Sequence, residues 1–168
     1  MEVIAPRIPY SYIEPRTTLT WREVAYGLEN ELLAKDGPVE LAVVHVGLLK
    51  NPPPDILDLA WGPNEFDVRD IVKTLANREN EEPEENIQRK WLYLVLSWFY
   101  DHRDSLDDPL EQVEMTYSGF GYPKRIAGLI RYMPTKEPTL GSATANTHRL
   151  FEKWASYLDE EGRIFAPK

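Results

Sequence analysis

The sequence predicts an all-α protein, a multi-helix bundle of about eight helices with an extended N-terminal arm. Apolar residues recur at helical spacing, helix-capping signals precede them, and no segment alternates convincingly like a strand. The 168 residues fit a single domain, 1–168, with the arm at 1–19 and the helical body at 20–168. A hydrophobic content of 42% is enough for a core without disulfides or a metal.

The first elements follow from prolines and caps. Three prolines within residues 1–19 predict the extended arm. Thr20 and Glu23 have the spacing of a capping box, which opens a helix over residues 21–33. Asp36-Gly37-Pro38 then begins a second helix, which ends before Asn51. Its segment 39–46 is the one place where β-branched residues also suit a strand.

Two shorter helices follow in the first half of the chain. Asp55 is expected to cap a helix that ends at Trp61, and another helix is expected over residues 65–77. The second and fourth helices should bury apolar faces against the core. These faces carry Leu41, Val44, His45, Leu48, Leu49, Phe66, Ile71, Val72 and Leu75.

The second half contains the longest apolar helix, expected over residues 84–102, with Trp91 and Trp98 in its buried stripe. Asp108 and Pro109 open the sixth helix as cap and first-turn residue. A seventh helix should lie between Pro123 and Pro134. The eighth is expected over 143–160 with Gly162 behind it, and its inward positions are Leu150, Phe151, Trp154 and Leu158.

Negative charge is concentrated in one stretch of the chain. Residues 79–114 hold eleven acids and three bases, so they carry 3 − 11 = −8 of the formal net charge of −9. Such a field attracts a basic partner and repels nucleic acid and anionic membranes. The charge distribution therefore favours a binding function.

Common reaction signatures are absent from the sequence. It has no phosphate-binding glycine loop, no zinc-protease helix and no nucleophile elbow. Cysteine is absent too, which suits the cytosol and excludes thiolate chemistry. Neither a signal peptide nor a membrane-spanning run is recognisable. We therefore expect a cytoplasmic, non-catalytic protein without a cofactor or metal.

One catalytic alternative stays open. His102, beside acidic residues, could act as a general base in a carboxylate-dependent hydrolase together with Asp104 and Asp108. The simpler interpretation is that His102 ends a helix favourably and that Asp107 and Asp108 cap the next one. His45, on an apolar face, is expected to be a core residue.

Several motifs resemble a bacterial family known as domain of unknown function 2247. They are structural caps and turns, and the resemblance covers residues 20–134. Gly119 and Gly121 depart from the Ala and Asp that the family pattern leads us to expect. The motifs are Thr20-Trp21-Arg22-Glu23, Tyr26-Gly27-Leu28, Lys90-Trp91-Leu92-Tyr93, Asp108 to Glu114, Tyr117, Phe120, Tyr122-Pro123 and Arg131-Tyr132-Met133-Pro134.

The resemblance implies no catalytic residue, and it implies an association with immunity genes beside bacterial toxins. Our leading hypothesis is an acidic immunity or antitoxin-like protein that masks a basic toxin domain, such as a nuclease, by electrostatic complementarity. A helical scaffold or adaptor is the alternative, and the oligomeric state is open. The expected partner-binding residues are Asp101, Asp104, Asp107, Asp108, Glu111 and Glu114.

Overall fold

A computed structural model describes residues 6–133 and 141–167. These residues form two compact units. The N-terminal unit comprises residues 6–91 with 166–167, and the C-terminal unit comprises residues 92–165 apart from 134–140. The predicted domain 1–168 and arm 1–19 include a few residues outside the described ranges, and the single domain stays a prediction.

The predicted all-α class is confirmed. The described residues contain eight α-helices, two 3₁₀ helices and no strand beyond a single isolated bridge. The 3₁₀ helices span Arg103–Ser105 and Lys124–Leu129. The α-helices are α1 (Tyr10–Ile13), α2 (Trp21–Glu29), α3 (Gly37–Leu48), α4 (Pro54–Ala60), α5 (Glu65–Arg78), α6 (Glu84–Asp101), α7 (Pro109–Gly119) and α8 (Ala143–Phe165).

The described part of the N-terminal arm belongs to the core of the N-terminal unit. Ile8 pairs with the chain around Leu33, since its amide donates to the Leu32 carbonyl at 2.8 Å and its carbonyl accepts from Ala34 at 2.9 Å. One helical turn, α1, interrupts the arm and was not predicted. Ile8 and Ile13 are completely buried, and this apolar burial holds the segment against the core. The prolines alone predicted only that the segment is extended.

The predicted capping box of α2 is confirmed. The Thr20 hydroxyl accepts from the Glu23 amide at 3.1 Å, and the Glu23 carboxylate accepts from the Thr20 amide at 2.8 Å. The helix ends four residues earlier than predicted, at Glu29. Glu31 adopts a left-handed φ of 55°, which turns the chain back so that the Leu32 amide bonds to the Gly27 carbonyl.

A buried ion pair joins α2 to the N-terminal half of α6. The Lys90 ammonium lies 2.9 Å from both carboxylate oxygens of Glu23, whose side chain is fully buried. Beside this pair, the fully buried Trp91 donates its indole N–H to the Glu23 carbonyl at 2.8 Å. The amphipathic face of α2 and the Trp91 ring therefore form one layer of the core.

Helices α3, α4 and α5 differ from the predicted burial pattern. Segment 39–46 is helical, and α3 packs against α4. Leu48, Leu49 and Phe66 were predicted to be buried and are exposed. Helical spacing shows that these residues share a face, but it cannot show whether another element covers that face. Asp55 was predicted to cap α4, but Pro53 occupies the cap position and Asp55 lies within the first turn. Its carboxylate pairs with Arg78 at 2.6 Å.

The C-terminal unit contains the second half of α6, α7, the Lys124–Leu129 3₁₀ helix and α8. The predicted seventh helix is this 3₁₀ segment, which buries Ile126 and Leu129. Their spacing of three matches the three residues per turn of a 3₁₀ helix. Pro134, the predicted helix stop, lies outside the described residues.

Helix α8 continues to Phe165, beyond the predicted end at residue 160. Gly162 was predicted to lie behind the helix and instead lies within it, close to the Tyr93 ring of α6. A Cβ there would come within 3.2 Å of the Tyr93 hydroxyl, so the glycine permits close helix packing. Trp154 is the fully buried centre of α8, whereas Leu150, Phe151 and Leu158 are half-buried.

Candidate functional site

The predicted acidic residues lie where α6 passes into α7 in the C-terminal unit. Asp101 ends α6, Asp104 belongs to the short 3₁₀ helix, and Asp107 precedes α7. Asp108 caps α7 by accepting from the Glu111 amide at 3.3 Å, as the sequence predicted. A helix N-terminus favours such carboxylates, so the positions of Asp108 and Glu111 have a structural cause.

Arg131 binds two of the six predicted carboxylates. Its guanidinium makes two hydrogen bonds to Glu114, at 2.9 and 3.0 Å, and one to Asp108 at 2.9 Å. The hydrogen bonds to Glu114 raise the pKa of Arg131 most strongly. Partial burial lowers this pKa, and the hydrogen bond to Asp108 raises it further. Asp108 and Glu114 are therefore hydrogen-bonded within the fold, and Arg131 offsets one of their two negative charges, which makes them poorer candidates for contacting a partner.

The other four predicted carboxylates lie at or near the surface. Asp101, Asp104 and Asp107 are exposed, and Glu111 is half-buried. Asp104, Asp107 and Glu111 have no ion-pair partner within 6–133 or 141–167. We call Asp101, Asp104, Asp107 and Glu111 the acidic surface.

A cleft of about 430 Å³ borders the acidic surface through Asp104. Arg103 stacks over the Tyr100 ring at 4.1 Å and donates to the Tyr100 carbonyl at 2.7 Å. On α8, the His148 Nε2 lies 2.9 Å from the Glu152 carboxylate, one helical turn further along. The lining residues are Tyr100, Arg103, Asp104, Pro109, His148, Phe151, Glu152 and Ala155.

Two of the three possible hydrolase residues, His102 and Asp108, make other contacts. The His102 ring stacks on Trp98 with 3.9 Å between centroids, and its Nδ1 lies 2.8 Å from the Trp98 carbonyl in the last turn of α6. Asp108 is engaged by the α7 amide and by Arg131. These contacts favour the helix-end role of His102.

Part of the remaining acidic run stabilises the fold of the N-terminal unit. Glu79 accepts from the backbone amides of Trp21 and Arg22, at 3.0 and 2.9 Å, at the start of α2. Glu82 lies 3.5 Å from the Thr20 hydroxyl, and burial raises the pKa of its carboxyl. These acids act as remote caps, so the full −8 of the run is not one binding field.

Within the described ranges, no three histidine or acidic side chains are grouped closely enough to hold a metal ion. No helix in the part of the chain that the structure describes is long and apolar enough to cross a membrane.

Sequence reasoning missed two features of the surface. Arg131 lies 17 residues beyond Glu114, and no local motif marks it as the cation that Glu114 and Asp108 share. Trp61 is exposed to 87%, although the helix signals around it predicted only that a helix ends there. The place of Trp61 directly before Gly62-Pro63 was a signal of its exposure, because turns lie at the protein surface.

The fold and the carboxylates together define an all-α protein with an acidic surface at the α6–α7 junction. The chain belongs to the bacterial family described as "Uncharacterized protein conserved in bacteria (DUF2247)", whose model matches residues 10–162. This match confirms the resemblance and extends it at both ends. No curated protein and no solved structure matches the chain.

Proposed function

We propose that the protein is a non-catalytic binding protein whose acidic surface recognises a basic protein. The observation that carries this proposal is the contrast among the six carboxylates. Arg131 binds Asp108 and Glu114 and offsets one of their two charges, whereas Asp104 and Asp107 are exposed without an ion-pair partner among the described residues. A carboxylate without an internal cation keeps its full charge for an external one.

The expected benefit of this arrangement is fast and selective association. Exposed charges contribute little to folding stability, but they steer an oppositely charged partner during encounter. The same charges repel nucleic acid and other acidic proteins. The partner is therefore a protein with a basic surface and not a nucleic acid.

The biological role that we propose is neutralisation of a toxin domain. A nuclease carries a basic surface that contacts phosphate groups. An acidic protein that covers this surface blocks access of the nucleic acid. The family is bacterial, which is compatible with a toxin and immunity pair.

The cleft beside Asp104 supplies a place for one side chain of the partner. Phe151 provides an aromatic wall, and Asp104 and Glu152 provide negative charge, while the cation of Arg103 stacks on the Tyr100 ring. A lysine or arginine side chain has an apolar stem and a cationic end, which match these two kinds of wall. Most of the binding energy of such an interface comes from a few central contacts.

The partner can be recovered from the source bacterium with a tagged form of the full chain and identified by mass spectrometry. Three forms are compared: wild type, an acidic-surface reversal and a charge-matched control. The reversal changes Asp101, Asp104, Asp107 and Glu111 to Lys. The control changes four exposed acids elsewhere to Lys, namely Glu14, Glu29, Glu81 and Glu160.

We expect wild type and control to retain the same basic protein and the reversal to lose it. Co-expression of that protein with the full chain in growing cells then tests neutralisation, since a toxin should arrest growth only without a functional partner. An equal yield from all three forms would show that the acidic surface does not bind the partner. A recovered basic protein without any effect on growth would favour the scaffold alternative.

A further inference from the structure

The N-terminal unit exposes large apolar side chains at the junction of α4 and α5. Trp61 is exposed to 87% and Phe66 to 75%, and Leu57 lies one helical turn before Trp61. Leu57 and Trp61 share one helix face, and Phe66 follows five residues after Trp61; exposed apolar side chains grouped in one segment form contact surfaces more often than single ones do. We call Leu57, Trp61 and Phe66 the α4–α5 apolar surface.

The backbone holds this surface in a defined conformation. Gly62 has a φ of 75°, a left-handed conformation that glycine adopts without strain, and it turns the chain directly after Trp61. Asn64 then caps α5 by accepting from the Asp67 amide at 3.0 Å, which fixes the first turn containing Phe66. Two aromatic side chains on a fixed turn lose little conformational entropy on binding.

Carboxylates are frequent in the segment that carries these apolar side chains. Residues 55–70 contain five acids and one base, which gives a formal charge of 1 − 5 = −4. Asp55 pairs with Arg78, and Glu65 lies near Lys35 and Arg69. Within the described part of the chain, Asp58, Asp67 and Asp70 have no ion-pair partner. The next base along α5 is Lys73.

We propose that the α4–α5 apolar surface docks a basic amphipathic helix of a partner protein. Trp61 and Phe66 would contact the apolar face of that helix, and Asp58, Asp67 and Asp70 would face its lysine or arginine residues. Helices with an apolar stripe and charged flanks bind in this way to hydrophobic surfaces. An anionic membrane is repelled by the same carboxylates. The surface lies in the N-terminal unit and is independent of the acidic surface.

The test uses two synthetic peptides of about 18 residues, long enough to form a helix. Both place leucine at helical spacing, and the other positions are lysine in one and glutamate in the other. The indole N–H resonance of Trp61 reports binding at the surface, and anisotropy of labelled peptide gives the dissociation constant. Trp61→Phe identifies the resonance.

We expect the lysine peptide to shift the Trp61 resonance and the glutamate peptide to leave it unchanged. Trp61→Ala with Phe66→Ala should weaken binding of the lysine peptide by about tenfold or more, as truncation of central aromatic contacts does. Ile164→Ala removes an exposed apolar side chain of the C-terminal unit and should have no effect. Exposed positions tolerate these changes without unfolding.

Two further measurements distinguish docking of a partner helix from binding at the acidic surface and from self-association. Reversal of the acidic surface should leave the Trp61 response in place, so loss of function at the acidic surface would leave docking at α4–α5 intact. Equal binding of both peptides, or an unchanged affinity in the Trp61→Ala, Phe66→Ala variant, would overturn the proposal. Concentration-dependent self-association of the free protein that this variant abolishes would also overturn it, because the occupant would then be a second copy.

Discussion

Gly27 on α2 lies directly against the indole ring of Trp91 on α6. A Cβ atom at residue 27 would overlap that ring, with Cη2 only 2.7 Å away. The ring cannot move aside easily, because Trp91 is fully buried and its N–H is bonded to the Glu23 carbonyl. The absence of a side chain at residue 27 therefore allows α2 and α6 to approach closely.

Gly27→Ala should destabilise the protein by about 1–3 kcal/mol, as overpacking of a core does. The intrinsic helix preference of alanine acts in the opposite direction by less than about 1 kcal/mol. Urea unfolding followed by tryptophan fluorescence measures the difference. Gly47→Ala, also within a helix but with open space around its Cα, serves as control and should be neutral or stabilising. Equal stability of both variants would contradict the close contact.

Lys90→Met should lower the free energy of unfolding by about 3 kcal/mol. The substitution leaves the buried Glu23 carboxylate without its cation. Combining it with Glu23→Gln should restore a large part of that loss, since a neutral amide is less costly to bury. The pair is measured as a double-mutant cycle by denaturant unfolding. Strict additivity of the two changes would show that Lys90 and Glu23 do not interact.

His45 should make stability depend on pH near neutrality. Burial lowers the pKa of His45 below its ordinary 6.5, and the charge of Glu79 opposes this effect. The unfolded chain therefore binds a proton at a pH where the folded protein does not. The stability that neutral His45 contributes is fully present above pH 6.5, and it is lost as the pH falls toward the pKa of His45 in the folded protein. His45→Gln should reduce the loss of unfolding free energy between about pH 7.5 and 5.5. An unchanged loss would contradict this assignment.

Arg131→Gln should strengthen the acidic surface. The substitution releases Asp108 and Glu114, so we expect faster association with the basic partner at low salt. The cost in stability should be about 1–2 kcal/mol, because the guanidinium and Asp108 are partly exposed while Glu114 is largely buried. Arg163→Gln removes the same charge from an exposed pair on α8 and is the matched control. Equal association rates of both variants would show that the released carboxylates do not contact or steer the partner.

Local signals in the sequence predicted most of the helices. The capping box depends on Thr20 and Glu23, three positions apart, and the cap of α7 is marked by Pro109 directly after Asp108, so local signals identify both. Helix α6 ends within one residue of its prediction because its apolar stripe is long and uninterrupted. The shorter extent of α2 depends on the left-handed turn at Glu31, and Asn30 directly before it is the helix C-cap, a stop signal that the prediction did not use.

The sequence predicted the charge clusters only as an excess of acids over bases in residues 79–114. Glu79 caps α2 from 58 residues away, and Arg131 reaches Asp108 from 23 residues away. Such pairs form only after the helices have packed, so no sequence window contains both members. The same limit applies to Phe66, whose exposure depends on which neighbouring elements are present. The sequence therefore located the acidic surface and could not separate its paired carboxylates from the exposed ones.

The most direct test of partner recognition by the acidic surface is the association rate of the recovered partner, measured by stopped flow across a range of salt. We predict that reversal of the acidic surface to Lys slows association strongly at low salt, while the control at Glu14, Glu29, Glu81 and Glu160 slows it much less. The difference should shrink toward physiological ionic strength, where the Debye length is about 8 Å. An association rate that neither the reversal nor salt changes would contradict a steering role for the acidic surface.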